Sequence, residues 1–535
     1  MRLSGRYACE MRGAVAAGHR LTAEAGAEVL REGGNAVDAC IAAAFMSWVT
    51  ESTLTSPGGG GFLLVRAAST GKVSLHDFFV ALPGQGADRP VGEMEVVDVE
   101  FDRGATQIFR VGGASCGVPG AIAGLESAHR AYATLPWRRL LEPAIAVARE
   151  GHELVPAQAY LHAILDLILR RTDTGREIFG PHGVRLVAGD RLLMPELADT
   201  LEQLADEGAG AFYAGDLGRR VCECVREEGG SLTMDDLETY RVISRRPIRS
   251  SFDSFDFVSN PPPSSGGTLI AYALLLLSRL GPGGRPGSAE AIARLAEVMR
   301  EQTLARGGSF LGDLYRGGLV KRLLADVDGA VERIRAREAG SRSGSAEESI
   351  GAPGTTHISV VDAAGNAASL TASNGSGSGV IVPGTGFHLN NMLGEYDLNP
   401  VGRRTRGGGI GRRLTSMMAP SLVLQGGLPR LVVGSAGSVR LRGAILQLVL
   451  NVNIHGMDVR TAIGQPRVHL DGEHLHCEGG HERAELDRLE QWGYELVRWR
   501  RRNLYFGGAS AVELREDGSL DAAGDPRRGG HGVVV

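Results

Sequence analysis

The candidate nucleophile of this chain is Thr355, which follows Gly354 where a polar segment runs into an apolar one. If the peptide bond between these two residues were cut, Thr355 would carry a hydroxyl nucleophile and a free α-amine in one residue. An α-amino pKa of about 8 makes such an amine competent as a general base at neutral pH. A threonine at a chain terminus is therefore an activated nucleophile. On Gly-Thr-Thr alone, ordinary strand residues would be the simpler interpretation, so the surrounding elements must decide.

The segments on either side of Thr355 differ in character. Residues 336–352 are small or charged and have no apolar face, which predicts a flexible loop. Residues 356–362 and 367–371 alternate in polarity around a turn, which predicts a buried β-hairpin. Elsewhere apolar spacing and small-residue runs predict a strand at 62–65 and helices at 21–32, 36–49, 121–132, 140–149, 197–207, 217–228, 268–280 and 288–304.

Short motifs follow one another in a definite order along most of the chain. From the candidate nucleophile onward they are Thr355-Thr-His-Ile-Ser-Val-Val-Asp362, Gly365-Asn366, Ser373-Asn374-Gly375, Gly386, Leu389-Asn390-Asn391, Leu414-Thr-Ser-Met417 and Val433-Gly-Ser-Ala-Gly-Ser-Val-Arg440. Before it come Gly33-Gly-Asn-Ala-Val-Asp38, Gly58-Gly-Gly-Gly-Phe62, Gly117-Val-Pro-Gly120, Glu142-Pro-Ala144, Phe212-Tyr-Ala-Gly215 and Pro261-Pro-Pro-Ser-Ser-Gly-Gly267, and Asp525-Pro-Arg527 lies near the end. This ordered set resembles the γ-glutamyltranspeptidase family of N-terminal nucleophile hydrolases.

The resemblance implies both a fold and a maturation step. It implies an α+β chain folded as a four-layer αββα sandwich, with two packed sheets between helical layers. It also implies a precursor that cuts itself between Gly354 and Thr355. The products would be a large subunit, residues 1–354, ending in the loop at about 336–354, and a small subunit, residues 355–535, held together as a heterodimer.

Site roles carry over from the resemblance one residue at a time. Thr355 matches the family nucleophile, and Ser373 stands where a Thr hydroxyl bonds to that nucleophile. Gly437 and Ser438 replace the Gly-Gly pair whose backbone N–H groups form the oxyanion hole, and a Ser still has that N–H. Thr356 and His357 are implied to be neighbours of the site rather than a proton shuttle.

Four further residues are implied to contact the substrate. Asn374 matches an Asn that contacts the substrate carboxylate or the terminal amine. Glu395 stands where an Asp grips the substrate α-amino group, with the charge kept and a longer reach. Thr415 and Ser416 replace a Ser-Ser pair that holds the α-carboxylate.

Phe79 is the departure from the family pattern with the largest consequence. The stretch Asp77-Phe-Phe-Val-Ala-Leu-Pro83 matches one in which an Arg pairs with the substrate α-carboxylate, and Phe79 stands at the Arg position. A bidentate Arg–carboxylate contact is among the strongest recognition devices, and an apolar ring makes an unpaired carboxylate costly to desolvate. Arg66 and Arg412 are candidates to replace the missing charge. The substitution argues against glutathione as the natural substrate.

The predicted activity is that of a hydrolase or acyltransferase. An acyl-enzyme would form from a γ-glutamyl or related amino-acid-derived substrate and pass to water or to an amine. Similar proteins that deacylate cephalosporin-type amides keep the hydroxyl nucleophile. Two alternatives stay open: a C–C bond hydrolase acting on an amino-acid-derived intermediate of alkylproline-type natural-product biosynthesis, and an inactive homologue retained for binding.

The composition of the chain limits the classes of partner that it could bind. The chain has 535 residues, 77 of them Gly, with 22% charged residues and a formal net charge of −5, which gives no general attraction to nucleic acid or anionic membranes. No apolar run reaches the ~18–20 residues that cross a bilayer, and we expect a cytoplasmic protein. We expect no cofactor. We also expect no metal, because the residues that look like metal ligands are predicted to lie on an exposed strand pair: His469, His474, His476, Cys477 and His481.

Overall fold

Two antiparallel sheets form the centre of the molecule in a computed structural model that describes residues 12–88, 91–100, 106–340, 354–395 and 409–535. The strands are β1 (Gly13–Ala17), β2 (Gly60–Arg66), β3 (Val73–Phe78), β4 (Glu95–Glu100), β5 (Thr106–Val111), β6 (His152–Glu153), β7 (Arg191–Leu192), β8 (Ile243–Arg245), β9 (Ile248–Phe252), β10 (Phe255–Ser259), β11 (Thr356–Asp362), β12 (Ala367–Ser373), β13 (Ile381–Val382), β14 (Phe387–His388), β15 (Ser421–Gln425), β16 (Leu428–Ala436), β17 (Val468–Asp471), β18 (His474–Cys477), β19 (Glu495–Arg498), β20 (Gly508–Leu514), β21 (Leu520–Gly524) and β22 (His531–Val534).

The helices lie mainly outside these two sheets. They are α1 (Arg20–Arg31), α2 (Ala36–Thr50), α3 (Ala121–Tyr132), α4 (Trp137–Glu150), α5 (Pro156–Ile164), α6 (Asp166–Leu169), α7 (Asp173–Phe179), α8 (Pro195–Glu207), α9 (Gly210–Tyr213), α10 (Asp216–Glu227), α11 (Met234–Thr239), α12 (Gly266–Leu280), α13 (Ala289–Leu304), α14 (Phe310–Arg316), α15 (Leu319–Glu338), α16 (Leu441–Asn453), α17 (Val459–Gly464) and α18 (Arg483–Gln491). None of the helices within the described ranges combines the length and apolar character that a membrane span needs.

The alternation of side chains along the strands produces four layers. The seven-stranded sheet has the order β22-β1-β11-β12-β2-β3-β8, and the six-stranded sheet has the order β21-β20-β16-β15-β10-β9. In β1, Val15 packs towards α1 and α2, whereas Ala14 packs between the sheets. In β16, Val432 faces the space between the sheets, and Val433 packs with α12 and α16. Since period-2 alternation sends neighbouring residues to opposite faces, each sheet has one helix layer, which confirms the αββα sandwich.

The hairpin that carries the candidate nucleophile lies at the middle of the larger sheet. Strands β11 and β12 pair in antiparallel register, with Thr356 opposite Ala372. Strand β11 also pairs with β1, and β12 pairs with β2. The predicted hairpin is therefore confirmed, and every residue of both strands is buried.

Two sequence predictions about local structure were wrong. The loop predicted from residue 336 begins later, because α15 continues to Glu338; Arg337 is 6% exposed and pairs with Glu297 at 2.6 Å and with Glu301. Ion pairs with α13 therefore hold a helical turn that has no apolar face. Residues 341–353 of that loop lie outside the described residues.

The strands β17 and β18 are not an exposed pair. They form a three-stranded sheet with β19, and Leu470 and Leu475 pack against α13. His469 and Cys477 are buried as well, because the strands bury residues on both faces. In the described ranges no three His, Cys, Asp or Glu side chains converge in a way that could hold a metal ion.

Buried histidines predict that the fold loses stability in mild acid. Burial lowers the pKa of His19, His152, His162 and His388 to about 4 and that of His357 to about 3. These rings stay neutral in the fold but take a proton at about pH 6.5 once the chain unfolds. Their contribution to the free energy of unfolding is therefore fully present above about pH 6.5. It decreases towards pH 4 by roughly 1.4 kcal/mol per pH unit for each ring.

We therefore expect the melting temperature to drop steeply between pH 6.5 and pH 5, which thermal denaturation at constant ionic strength would measure. The matched control is His152→Phe, because neither ring nitrogen of His152 has a hydrogen-bond partner in the described structure and its ring has an edge contact with His19 at 5.8 Å. This variant should lose part of the pH dependence. A melting temperature that stays constant down to pH 5 would contradict the prediction.

Candidate active site

Two hydroxyl groups surround the carbonyl of the peptide bond that is predicted to be cut. Thr355 lies immediately before β11, and its Oγ1 donates to the Gly354 carbonyl oxygen at 2.7 Å. Ser373, the last residue of β12, also donates to that oxygen, and its hydroxyl lies 3.3 Å from Thr355 Oγ1. The N–H of Gly375 donates to Ser373 Oγ at 3.0 Å, which orients this hydroxyl. The structure thus brings together the predicted nucleophile, its predicted partner and the predicted scissile bond.

Close backbone packing holds the residue before the nucleophile. A Cβ on Gly354 would overlap the carbonyl oxygen of Gly375, so only glycine allows this approach. Gly375 has φ +69, and a Cβ there would overlap Asn391 Oδ1 and lie 3.1 Å from Glu395 Oε1. The predicted substrate residue Glu395 therefore lies beside the segment that carries the scissile bond.

A buried carboxyl group lies beneath the predicted nucleophile, and sequence reasoning did not identify it. Thr356 Oγ1 donates to Glu51 Oε2 at 2.5 Å, and Thr22 Oγ1 donates to Glu51 Oε1 at 3.0 Å. Burial raises the pKa of Glu51 to about 7, against the lowering effect of these hydrogen bonds. One signal was available, because Glu51 is the only charged residue between Asp38 and Arg66. A lone acid in an apolar run is costly to bury unless it has a partner or a function.

A buried arginine near the end of the chain approaches the predicted nucleophile. Arg528 Nη1 donates to the Thr355 carbonyl oxygen at 3.4 Å. Burial lowers the pKa of Arg528 to about 10. Arg528, Glu51 and Thr355 line one small cavity with room for about one water molecule. The sequence motif Asp525-Pro-Arg527 indicates this region, but the role of the next residue depends on the fold.

His357 has no free position from which to shuttle protons. Its Nδ1 lies 2.8 Å from Thr371 Oγ1 and its Nε2 lies 2.9 Å from Ser359 Oγ. Both ring nitrogens are thus engaged, and burial holds the pKa of the ring far below the neutral range, at about 3. The geometry agrees with a structural role between the two sheets.

The two residues of the predicted oxyanion hole follow β16 in an unusual backbone conformation. Gly437 has φ +121 and Ser438 has φ +52. A Cβ on Gly437 would lie 2.9 Å from the Cα of Gly507, so this position needs glycine. Ala436, which precedes them, lines the same cavity as Thr355. The turn therefore lies close to the nucleophile.

The other predicted substrate residues are largely tied into the scaffold. Asn374 is fully buried; its Oδ1 accepts from Ser56 Oγ at 2.9 Å, and its Nδ2 donates to the His388 carbonyl at 3.2 Å. Thr415 is buried beside Ser416. The Ser416 hydroxyl accepts from the N–H of Met418 at 3.0 Å. These bonds fix the backbone around the site, and contact of these residues with substrate stays a prediction.

Phe79 lies in the packed core between the sheets. Its ring stacks on Phe62 with centroids 5.4 Å apart, and it is 2% exposed. Nearby Asp77 is paired with Arg245 at 2.6 Å and with Arg413 at 3.3 Å. An apolar ring thus occupies the predicted carboxylate-binding position. Arg245 and Arg413 are already paired with the buried carboxylate of Asp77.

Neither arginine considered as a replacement has its guanidinium at that position. Arg66 donates to the carbonyls of Gly365 and Gly427 at 3.0 and 3.1 Å. It lies at the far end of β2 from Gly60, which pairs with Ser373, a separation of about 20 Å along a strand. Arg412 packs its guanidinium over the ring of Tyr315 at 4.0 Å.

Comparison with known proteins identifies the family of the chain. The family model described as gamma-glutamyltranspeptidase matches residues 22–535. The acylase ACY 1 proenzyme of Pseudomonas sp. strain SE83 is 32% identical, and the match covers 98% of this chain and 94% of that protein. The glutathione hydrolase proenzyme of Pseudomonas aeruginosa is also 32% identical, with coverage of 98% and 94%.

A solved structure shows the same fold. The crystal structure of cephalosporin acylase from Bacillus halodurans superposes with a TM-score of 0.82 at 24% identity, covering 98% of this chain and 96% of that one. The shared architecture is the αββα sandwich described above. Together with the match of the family model over nearly the whole chain, these relatives show that the protein is a hydrolase or transferase of the γ-glutamyltranspeptidase family.

Proposed function

We propose that the chain cleaves itself between Gly354 and Thr355. Thr355 Oγ1 attacks the Gly354 carbonyl carbon, the C–N bond breaks, and the proton of the hydroxyl passes to the departing amine. Water then hydrolyses the resulting ester, which leaves a carboxylate on Gly354 and a free amine on Thr355. The observation that carries this proposal is the position of the Thr355 and Ser373 hydroxyls on the Gly354 carbonyl.

The two products, residues 1–354 and 355–535, would stay together as a heterodimer. Strands β11 and β12 belong to the small subunit but lie between β1 and β2, which precede the cut. Separation would break the four strand ladders β1–β11, β2–β12, β1–β22 and β10–β15 and expose the core on both sides of the sheet. The names of the curated relatives as proenzymes support the same maturation.

The freed Thr355 would then act on a small-molecule substrate. Its α-amine takes the hydroxyl proton, Oγ1 attacks the substrate carbonyl, and the N–H groups of Gly437 and Ser438 stabilise the oxyanion. The amine returns the proton to the leaving group, and water or an acceptor amine resolves the acyl-enzyme. This series of reaction steps needs no cofactor.

Two positions suggest the substrate class, because Glu395 keeps the negative charge of the family Asp and Phe79 lacks the positive charge of the family Arg. Glu395 lies beside Gly375 and is suited to grip an α-amino group. Phe79 offers no charge to an α-carboxylate. We therefore propose an amino-acid-derived acyl group of the γ-glutamyl type in which the amino group contributes more to binding than the carboxylate. One curated relative is named a glutathione hydrolase and another an acylase, which spans this range.

Three 4-nitroanilides test the assignment. They carry the γ-glutamyl group, the 4-aminobutyryl group, which lacks the α-carboxylate, and the glutaryl group, which lacks the α-amine. We expect the first two to be turned over with kcat/KM values within about tenfold of each other, and Glu395→Gln to raise their KM by about tenfold, the value of roughly one charge-assisted contact. The matched control is the glutaryl compound, whose kinetics Glu395→Gln should leave unchanged.

Because Phe79 stands where the family has a charged Arg, we also consider a second activity. This activity is C–C bond hydrolysis of an amino-acid-derived α-keto acid. Turnover of such a compound without release of nitroaniline from any of the three anilides would favour this activity. Strong γ-glutamyl turnover that disappears with the α-carboxylate would contradict the proposed substrate class. A matured enzyme that acts on none of these compounds would favour the binding homologue.

A further inference from the structure

The hydroxyl of Ser438 is an unusual group in this structure. Ser438 is 8% exposed, and its Oγ is buried without a hydrogen-bond partner among the described residues. Its backbone also has φ +52, a conformation that L-residues other than Asn and Asp rarely adopt. Glycine would avoid both the strain and the unbonded hydroxyl. A feature that costs stability twice at one residue calls for a functional explanation.

The position of Ser438 supplies that explanation. Ala436 lines the cavity beside Thr355, and two residues of chain span at most about 7 Å. Gly437 cannot carry a side chain, because a Cβ there would lie 2.9 Å from Gly507 Cα. Ser438 is therefore the first position after β16 at which a side-chain donor can be held near the nucleophile.

Neighbouring hydroxyls differ from that of Ser438. Ser435, on the same strand, donates its hydroxyl to the Ala436 carbonyl at 2.8 Å. Beside the nucleophile, Ser373 and Thr356 both donate to oxygen acceptors. These three neighbouring hydroxyls are bonded, whereas that of Ser438 is not. A donor that lacks a partner before substrate binds is what a site prepared for a developing negative charge requires.

We propose that the Ser438 hydroxyl is a third donor to the oxyanion, beside the backbone N–H groups of Gly437 and Ser438. The inference rests on the proposed function, since it requires Thr355 to attack a substrate carbonyl. The hydroxyl donates to the carbonyl oxygen as that oxygen gains charge, and it releases the oxygen when the tetrahedral intermediate collapses. No bond to Ser438 forms or breaks. Because the interaction strengthens in the transition state, it affects kcat more than KM.

Two substitutions separate this role from a structural one. We expect Ser438→Gly and Ser438→Ala to lower kcat for γ-glutamyl 4-nitroanilide by about 100-fold, the effect of removing one oxyanion donor, with KM within twofold. Ser438→Gly should also raise the melting temperature, because the strain at φ +52 disappears. The control is Ser435→Ala, which removes a bonded hydroxyl from the same strand and should retain kcat. If the 438 side chain only fills space, Ser438→Gly will match the unsubstituted enzyme.

Binding of phenylboronic acid supplies a readout without turnover. Thr355 Oγ1 adds to the boron, which becomes tetrahedral, while the hydroxyl proton passes to the α-amine of Thr355. One of the boron oxygens then stands for the oxyanion. We expect the unsubstituted protein to bind the acid at least tenfold more tightly than Ser438→Gly, and equal affinities would overturn the inference. Self-cleavage should be normal in both variants, because Ser373 bonds to the Gly354 carbonyl; loss of cleavage in Ser438→Gly would also overturn it.

The outcomes distinguish this inference from the proposed function. An unsubstituted chain that cleaves itself and turns over the anilide, with Ser438→Gly equal to it in kcat, overturns the role of the hydroxyl and leaves the proposed function intact. An unsubstituted chain that neither cleaves itself nor binds the boronic acid overturns both. If Ser438→Ala fails to fold, Ser438→Gly decides, since glycine adopts the required φ without strain.

Discussion

The Thr355→Ala variant is expected to remain a single uncut chain without measurable turnover. Alanine removes Thr355 Oγ1, the predicted attacking atom, which lies 2.7 Å from the Gly354 carbonyl oxygen. Without the cut, the α-amine that we propose as the general base does not exist. Intact mass spectrometry after prolonged incubation, together with an anilide assay, measures both losses.

Thr355→Ser is the matched control for this prediction, because it keeps the hydroxyl and removes only a methyl group. It should still yield two fragments and retain turnover. The removed methyl lies in a buried position, where Thr355 is 5% exposed, so some loss of rate is expected. Cleavage of Thr355→Ala between residues 354 and 355 would show that another group performs the attack, and fragments of other masses would place the junction elsewhere.

The Ser373→Ala variant is expected to slow self-cleavage by about 100-fold. The Ser373 hydroxyl donates to the Gly354 carbonyl oxygen, and the N–H of Gly375 holds the hydroxyl in place. As Thr355 attacks, this oxygen becomes negative, and a donor aimed at it lowers the barrier. A time course of fragment formation in freshly folded precursor gives the rate.

Ser373→Thr separates the hydroxyl from the rest of the side chain. Threonine keeps the donor and suits a strand position such as the end of β12, so this variant should cleave itself at close to the original rate. Melting temperatures of both variants show whether any loss comes from misfolding. If Ser373→Ala cleaves as fast as the unsubstituted chain, the Ser373 hydroxyl does not contribute to this step.

Local sequence patterns predicted the elements that carry the site. Helix α3 begins and ends where apolar spacing predicts, at Ala121 and Tyr132. The hairpin of β11 and β12 follows from alternation around the turn at Asp362–Asn366, where Asp362 Oδ1 accepts the N–H of Asn366 at 2.9 Å. These features depend on residues close together in the chain, so their signals are present in any short window of sequence.

Features that depend on distant partners were missed or predicted wrongly. The last turn of α15 contains no apolar stripe, and its stability comes from ion pairs of Arg337 with α13. His469 is polar in sequence but is buried in the sheet formed by β17, β18 and β19. In both cases the deciding contact joins segments whose proximity no local pattern reports.

The sequence by itself indicated the family through its ordered motifs, and it predicted the nucleophile and its position after Gly354. Only the tertiary structure decided what surrounds that nucleophile. Glu51 reaches Thr356 across 305 residues of chain, and Arg528 reaches Thr355 across 173. The tertiary structure also placed Phe79 in a stacked core and the guanidinium groups of Arg66 and Arg412 away from Phe79. The physical reason is that a residue's chemistry is local, whereas its burial, charge partners and pKa depend on side chains that only folding brings together.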